Sequence, residues 1–253
     1  MRNRLPASLS LDQRRRFLGQ LGTLGGGLIL THGLPAATCG SLFSSGYEDL
    51  ASAPAGTCVL IPSETQGPYP LLSVLSQSGI VRQDLTEGRP GVPLVLILKL
   101  VNLNNQCAPI ENAALYVWHC DKNGIYSGYA QPGGVSTVGQ TSCRGVQTTD
   151  CNGEAAFLTM YPGWYNGRIT HVHFQVYLNL QGTVTATSQL AFPPEITTAV
   201  YNSSLYLARG QNTSVTSFAQ DNVFSDGVSN QLVSVTGSVA TGYTATLTIG
   251  VAI

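Results

Sequence analysis

The sequence predicts an all-β fold in which two sheets pack into a sandwich and long loops connect the strands. Apolar segments with strand-like periodicity recur between turn signals, which is typical of β-sandwich domains. Charged residues make up only 10% of the 253 residues, and glycine accounts for 28. That composition is typical of an extracytoplasmic β protein rather than an average soluble one. We predict no amphipathic helix after the N-terminal segment.

Residues 1–38 resemble a twin-arginine export signal. Three consecutive arginines from Arg14 precede an apolar, glycine-rich run at 21–30, which is the order of parts in such leaders. The run is too short for a stable membrane span, so we expect export to the periplasm, the cell surface or the medium. An ordinary secretory signal or an amphipathic N-terminal helix is the alternative. Cys39 follows the leader and is a possible lipid anchor, although its context is a poor lipobox.

The remaining chain divides into a tether at 39–57 and one domain at 58–253. The tether is rich in serine, alanine and glycine, a composition typical of flexible linkers. No later composition shift marks a second boundary. A net charge of −1 offers no basic field, so we expect no nucleic-acid partner. Export permits disulfides, but the sequence leaves open how its cysteines pair: Cys39, Cys58, Cys107, Cys120, Cys143 and Cys151.

We predict roughly eight or nine strands within the domain, as expected for an immunoglobulin-like sandwich. The clearest lie at 92–101, 113–119, 142–148, 154–160, 171–180, 183–192, 232–238 and 243–253. The Asn152-Gly153 turn signal predicts that the strands on either side of it form a hairpin. The segment 193–217 is predicted to be a loop with about one turn of helix.

Two histidines on the strand at 171–180 are the most informative pair. His171 and His173 point to one face, with Val172 and Phe174 on the other, because side chains alternate along a strand. Histidine is the commonest metal ligand, and the chain has only four. The pair therefore predicts a chelating site. A half-exposed strand that carries two polar residues is the alternative.

Two imidazoles do not complete a metal site, and the best candidates for the other ligands are tyrosines. The carboxylates of the central region lie at predicted turns, whereas the chain has 11 tyrosines. Phenolate is a hard donor that suits Fe(III) rather than Zn(II) or Cu(I). Tyr165 lies on a turn shortly before the histidines, and Tyr126 follows an Asn-Gly turn. Tyrosine ligands at these positions would favour Fe(III).

Two segments resemble the signature segments of intradiol ring-cleavage dioxygenases, a family that includes catechol and protocatechuate dioxygenases. They are 118–128, Trp-His-Cys-Asp-Lys-Asn-Gly-Ile-Tyr-Ser-Gly, and 162–174, Pro-Gly-Trp-Tyr-Asn-Gly-Arg-Ile-Thr-His-Val-His-Phe. The resemblance extends to Gly-Pro-Tyr at 67–69 and Ser-Gln-Leu at 188–190, and spans roughly 58–192. It implies that Fe(III) is bound by four residues: Tyr126, Tyr165, His171 and His173.

The resemblance also implies a reaction. A catechol-type ring would be cleaved with O2 between its two hydroxylated carbons, and a muconate-type diacid would form. By analogy, Tyr165 would leave the metal and take up a catechol proton, Arg168 would stabilise the developing anion, and Gln189 would assist. The substrate stays open among catechol, protocatechuate, hydroxyquinol and lignin-derived catechols. We expect no counterpart of the helical N-terminal extension through which catechol-cleaving members of the family dimerise, and the oligomeric state is open too.

Two other functions are compatible with the sequence. One is a secreted, non-catalytic β-sandwich module that binds aromatic or carbohydrate polymers through exposed aromatic residues. The other is a Zn(II) or Cu(II) enzyme that uses the His-x-His pair alone. Among the remaining aromatic residues, Tyr69, Tyr129 and Trp164 either line a substrate pocket or fill the core. His119, at the end of a predicted strand, is expected to be structural.

Overall fold

The computed structural model describes residues 58–71, 78–131, 134–178 and 183–253. The export signal at 1–38, the tether and Cys39 lie outside these ranges, so they stay predictions. Within the described ranges, no helix is long and apolar enough to cross a membrane.

Nine strands and one α-helix form in the described part of the chain, which confirms the predicted all-β sandwich. The strands are β1 (Pro93–Asn102), β2 (Ala108–Pro109), β3 (Ala114–Trp118), β4 (Arg144–Thr148), β5 (Glu154–Met160), β6 (His171–Tyr177), β7 (Val184–Ala191), β8 (Ser234–Ser238) and β9 (Gly242–Val251). The helix, α1, spans Pro194–Tyr201.

The strands form two sheets. In the first sheet, β1 pairs antiparallel with β5 and with β2, and parallel with β9, which also pairs with β8. The second sheet has the order β4-β3-β6-β7, and all of its pairs are antiparallel. The strand that carries the two histidines, β6, is therefore an inner strand of the second sheet.

Alternating side chains of both sheets form one hydrophobic core. On β1, every second residue is a leucine, and the leucines at 94, 96, 98 and 100 are at most 1% exposed. They share the core with Val172 and Phe174 of β6. Burying one such side chain contributes about 1.5–3 kcal/mol. Because Val172 and Phe174 face this core, His171 and His173 must lie on the other face of the second sheet.

The predicted hairpin around Asn152-Gly153 is wrong, although its turn exists. Asp150 Oδ1 accepts hydrogen bonds from the backbone N–H groups of Asn152 and Glu154, at 2.9 Å each. The strands on either side nevertheless belong to different sheets, because β4 pairs with β3 and β5 pairs with β1. The turn is held against β1 by a 2.7 Å hydrogen bond from the Leu100 N–H to the Gly153 carbonyl. Turn chemistry predicts a reversal of the chain but not the sheet that each strand joins.

Helix α1 is longer than the single turn predicted for this segment. It has eight residues, with Pro194 in its first turn and a buried Tyr201 at its end. Proline suits this position because the first helical N–H groups have no partner within the helix. The Tyr201 hydroxyl lies 2.5 Å from the Thr170 hydroxyl, next to the histidine strand. Tertiary packing of this kind stabilises a short helix that weak periodicity alone does not predict.

The structure also assigns part of the cysteine pairing that the sequence leaves open. Cys58 and Cys107 form a disulfide that ties the start of the domain to the end of β1. Cys120 and Cys143 carry buried free thiols. Burial raises the pKa of the Cys143 thiol to about 12, so it stays protonated at neutral pH.

Candidate metal centre

The structure brings together the two histidines and two tyrosines that the sequence singles out. His171 Nε2 lies 3.1 Å from His173 Nε2, 3.1 Å from Tyr165 Oη and 3.3 Å from Tyr126 Oη. The Tyr126 hydroxyl is also 3.1 Å from His173 Nε2. Tyr126 and the two histidines are at most 2% exposed, whereas Tyr165 is partly buried. Two imidazole nitrogens and two phenol oxygens this close can serve one metal ion as ligands.

The two signature segments place these side chains by packing against each other. The backbone N–H of Gly163 donates to the Asp121 carbonyl at 3.0 Å. A Cβ on Gly124 would lie 2.1 Å from the Trp164 carbonyl oxygen, and one on Gly163 would lie 2.4 Å from the Lys122 carbonyl oxygen. Both positions therefore require glycine, because no side chain fits between the two turns. This close approach brings Tyr126 and Tyr165 to the same end of the sheet.

Substituting Gly124 with alanine is expected to destabilise the protein by at least about 1–3 kcal/mol, because the new methyl group would overpack the contact. Gly124 has φ +82°, so part of the loss would come from backbone strain alone. Gly139→Ala is the matched control, because Gly139 has φ +83° but no atom lies within 4 Å of the point that its new methyl group would occupy. Urea unfolding of both variants would measure the difference. Equal losses would show that the contact between the turns contributes nothing.

Both histidines are neutral in this environment. His171 Nδ1 lies 2.5 Å from the Ile169 carbonyl oxygen, to which it must donate, so its Nε2 presents a lone pair. Burial, reinforced by the charge of Arg168, lowers the pKa of His171 to about 3. Burial and the neighbouring His171 lower the pKa of His173 well below 6.5. Neutral imidazole is the form that binds metals.

The tyrosines are protonated phenols unless a metal ion lies beside them. Burial raises the pKa of Tyr126 well above 10. It also raises the pKa of Tyr165 to about 12, although the charge of Arg168 opposes this shift. A bound metal ion would reverse the preference, because it stabilises the ionised ligand directly. Among the residues that the structure describes, no group of three or more His, Cys, Asp and Glu side chains could hold a metal ion.

Arg168 belongs to a buried network next to the four residues. Its Nε donates to Asp221 Oδ2 at 3.0 Å, and its Nη2 donates to Gln189 Oε1 at 2.6 Å. Asp221 is fully buried and also accepts the Ile169 N–H at 2.6 Å. Gln189 in turn donates to the Thr65 carbonyl at 2.9 Å. The sequence singles out Arg168 and Gln189 but not Asp221, which lies in an irregular segment without a motif.

The other aromatic candidates differ in their surroundings. Tyr69 stacks on Tyr126 with ring centroids 4.8 Å apart and meets Tyr129 edge-on at 5.3 Å. Trp164 instead donates from Nε1 to the Gly210 carbonyl, away from the four residues. His119 is structural, as predicted: its two nitrogens lie 2.8 Å from the Cys120 carbonyl oxygen and 2.7 Å from the Thr159 hydroxyl.

No family model matches the sequence, and no curated protein matches it significantly. Among solved structures, the intradiol ring-cleavage dioxygenase from Tetranychus urticae is similar, with a TM-score of 0.68 and 27% identity over 77% of this chain and 95% of that chain. The dioxygenase domain of a dioxygenase carbohydrate-binding protein fusion from Streptomyces sp. SirexAA-E has a TM-score of 0.55 and 23% identity, covering 77% of this chain and 99% of that chain.

Chlorocatechol 1,2-dioxygenase from Pseudomonas putida has a TM-score of 0.51 and 19% identity, covering 76% of this chain and 72% of that chain. At such identities, the second and third structures show a shared fold alone. The Tetranychus urticae protein is similar over most of the described domain in sequence as well. The chain therefore has the fold of the intradiol ring-cleavage dioxygenases, and the resemblance to that family predicted from its two signature segments is confirmed.

Proposed function

We propose that the chain is a non-haem Fe(III) dioxygenase that cleaves a catechol-type ring between its two hydroxylated carbons with O2 and releases a muconate-type diacid. The observation that carries the proposal is the convergence of two histidine nitrogens and two tyrosine oxygens at one buried point. The fold shared with intradiol dioxygenases supports the same reaction class.

The donor set fits a ferric ion. Tyr126 and Tyr165 would bind through Oη, and His171 and His173 would bind through Nε2. The four separations of 3.1–3.3 Å between these atoms are short enough for all four to contact one ion. Phenolate oxygens are the hard donors that favour Fe(III).

When bound, the ferric ion would act as a Lewis acid that holds both catechol oxygens and makes the ring reactive toward O2. Tyr165 is the ligand suited to leave, because it is only partly buried whereas Tyr126 is 1% exposed. With a phenol pKa of about 12 when no metal ion is bound, the released Tyr165 oxygen would take up the proton of a substrate hydroxyl. No separate carboxylate base is then needed for that proton.

Arg168 would stabilise negative charge that develops on the substrate. Its guanidinium is fixed at two of its nitrogens, by Asp221 and by Gln189, so it would not have to reorganise during the reaction. Preorganised donors of this kind contribute about 2.7–4 kcal/mol to transition-state stabilisation in other enzymes. Gln189 would act through Arg168, as an orienting residue.

The burial of Tyr126 and the two histidines counts against a non-catalytic binding module, because such a module would present its aromatic rings at the surface. A Zn(II) or Cu(II) site would use the same histidines, but it would leave the two adjacent phenols without a role. Colour separates these alternatives, because ferric tyrosinate is red-brown, whereas a zinc site is colourless and a copper site is blue.

The test is the visible spectrum of the iron-loaded protein before and after catechol is added without O2. We expect a red-brown tyrosinate band and a shift of the absorption to longer wavelength with catechol, because the substrate would bind the iron as a catecholate. Tyr126→Phe and Tyr165→Phe should each weaken the band. Tyr243→Phe, at a buried core tyrosine on β9, is the matched control and should leave it unchanged. A colourless protein after iron loading, or one that retains zinc instead, would refute the proposal.

A further inference from the structure

The two histidines of the candidate metal centre are held in different ways. His171 donates from Nδ1 to the Ile169 carbonyl. His173 Nδ1 is buried and has no hydrogen-bond partner in the described part of the chain. Metal-binding histidines almost always donate from their second nitrogen, and this bond sets the orientation of the ring. Another contact must therefore orient His173.

Trp118 makes that contact. Its ring is stacked on the His173 ring, with centroids 4.9 Å apart and planes only 7° from parallel. The two residues are direct partners across β3 and β6, so their side chains leave the same face of the sheet side by side. Gly67 also restricts the His173 ring, because its backbone packs so closely that a Cβ at this position would lie 2.9 Å from His173 Cε1.

The stack continues to the loop that carries Tyr126. Trp118 also stacks with Tyr116, at 4.7 Å and 17°. The Tyr116 hydroxyl accepts a 3.0 Å hydrogen bond from Arg144 Nη1, and Arg144 Nη2 donates to the Ser127 carbonyl at 2.6 Å. Arg144 is fully buried, and among the described residues it makes no ion pair. The chain of contacts thus connects His173 with the neighbour of Tyr126.

Core filling alone does not account for tryptophan at this position. Trp118 is fully buried, and its Nε1–H has no hydrogen-bond partner within the described ranges. An unpaired buried donor is unfavourable, and phenylalanine or leucine would fill apolar space without it. Several other aromatic contacts in the core are less parallel: Tyr161 meets Phe192 at 46° and Tyr243 at 58°, and Tyr201 meets Tyr206 at 24°. The near-parallel stack on His173 is what the large indole plane provides.

We propose that Trp118 is a positioning residue for His173, and that its indole plane replaces the hydrogen bond that orients His171. The stack would hold the His173 ring in the plane that directs Nε2 to the point shared with Tyr126 and His171. This inference rests on the proposed iron site. It goes beyond the proposed function because it assigns a role to Trp118, which is not one of the four proposed ligands.

The test compares Trp118→Leu and Trp118→Phe with Phe157→Leu. Phe157 is a fully buried core residue of β5, so its variant is the control for lost aromatic packing. Iron affinity would be measured by competition with a chelator, and coordinated imidazoles would be counted by pulsed electron paramagnetic resonance. We expect Trp118→Leu to bind iron about 10–100-fold more weakly, as other losses of ligand support do, and to lose one imidazole signal. Trp118→Phe keeps a flat ring and should restore most of the affinity.

Phe157→Leu should lower the unfolding temperature by a similar amount but leave iron affinity and both imidazole signals unchanged. If Trp118→Leu does not fold, Trp118→Met takes its place with the same expected loss, because methionine fills the space without a flat ring. A folded Leu or Met variant with wild-type affinity and two imidazole signals would overturn the inference alone. A wild-type protein that takes up no iron would instead refute the proposed function, and the inference with it.

Discussion

Replacing His171 with alanine is expected to weaken iron binding by more than about 100-fold and to abolish ring cleavage. Its Nε2 lies within 3.3 Å of each of the other three candidate ligand atoms, His173 Nε2, Tyr126 Oη and Tyr165 Oη. Removing the outer partner of a metal ligand already lowers affinity about 10–100-fold, and loss of the ligand itself should exceed that. Iron content after dialysis against a chelator, the visible band and O2 uptake with catechol would measure the effect.

His119→Ala is the matched control for this substitution. His119 is as buried as His171, but its two nitrogens contact Cys120 and Thr159 rather than the centre. The control should lose stability, because it leaves buried partners unpaired, and should still bind iron and retain its colour. If His171→Ala kept wild-type iron content and colour, the four residues would not be the ligand set.

The part of the site that lies in continuous sequence could be predicted. Strand alternation alone places His171 and His173 on one face, because the side-chain period of a strand is two. The turn residues around Gly124 and Gly163 indicate where the flanking tyrosines are presented. These signals are local, so they can be read from the sequence without knowledge of the tertiary structure.

The part that depends on strand partners could not be predicted. Trp118, His173 and Gln189 form one row across β3, β6 and β7, and the register that creates this row cannot be read from any one strand. The same limit explains the wrong hairpin, because the turn at 150–153 is correct but its strands join different sheets. The sequence does not identify Asp221 as a site residue for a related reason. Its role comes from a buried contact with Arg168, distant in sequence, and no local pattern marks it.

Asp221 is the residue at which the largest loss of stability is expected. Asp221→Ala would leave the Arg168 guanidinium, whose side chain is 11% exposed, without its buried counter-charge. Breaking a buried ion pair by removing one partner costs about 3–5 kcal/mol. The backbone N–H groups of Ile169, Val223 and Phe224 would lose their acceptor as well. Urea unfolding would measure the loss, with the exposed Asp84→Ala, which removes a carboxylate that accepts the Thr86 N–H, as the control.

The contribution of Asp221 to the stability of the protein should decrease at acidic pH. Burial by itself would raise the pKa of this carboxyl, but the Ile169 N–H and the Arg168 side chain outweigh it and lower the pKa below 3.8. A group with a lowered folded-state pKa stabilises the protein fully above its unfolded pKa, and the contribution is lost as the pH falls through the folded value. The free-energy difference between wild type and Asp221→Asn should therefore be constant between about pH 5 and 7 and narrow below about pH 4.

Measuring kcat and iron content of Asp221→Asn should separate the structural role of Asp221 from its role in orienting Arg168. Under conditions where Asp221→Asn remains folded, the guanidinium keeps Gln189 as a partner but loses the carboxylate that fixes its Nε. Misplacement of a positioned group by about 1 Å can lower activity about 100-fold, so we expect kcat to fall by up to that factor while iron content stays at the wild-type level. A variant that keeps wild-type kcat would mean that Gln189 alone suffices to orient Arg168. An Asp221→Asn variant that loses its iron would instead show that Asp221 supports the ligand His171, through the Ile169 backbone that contacts both residues.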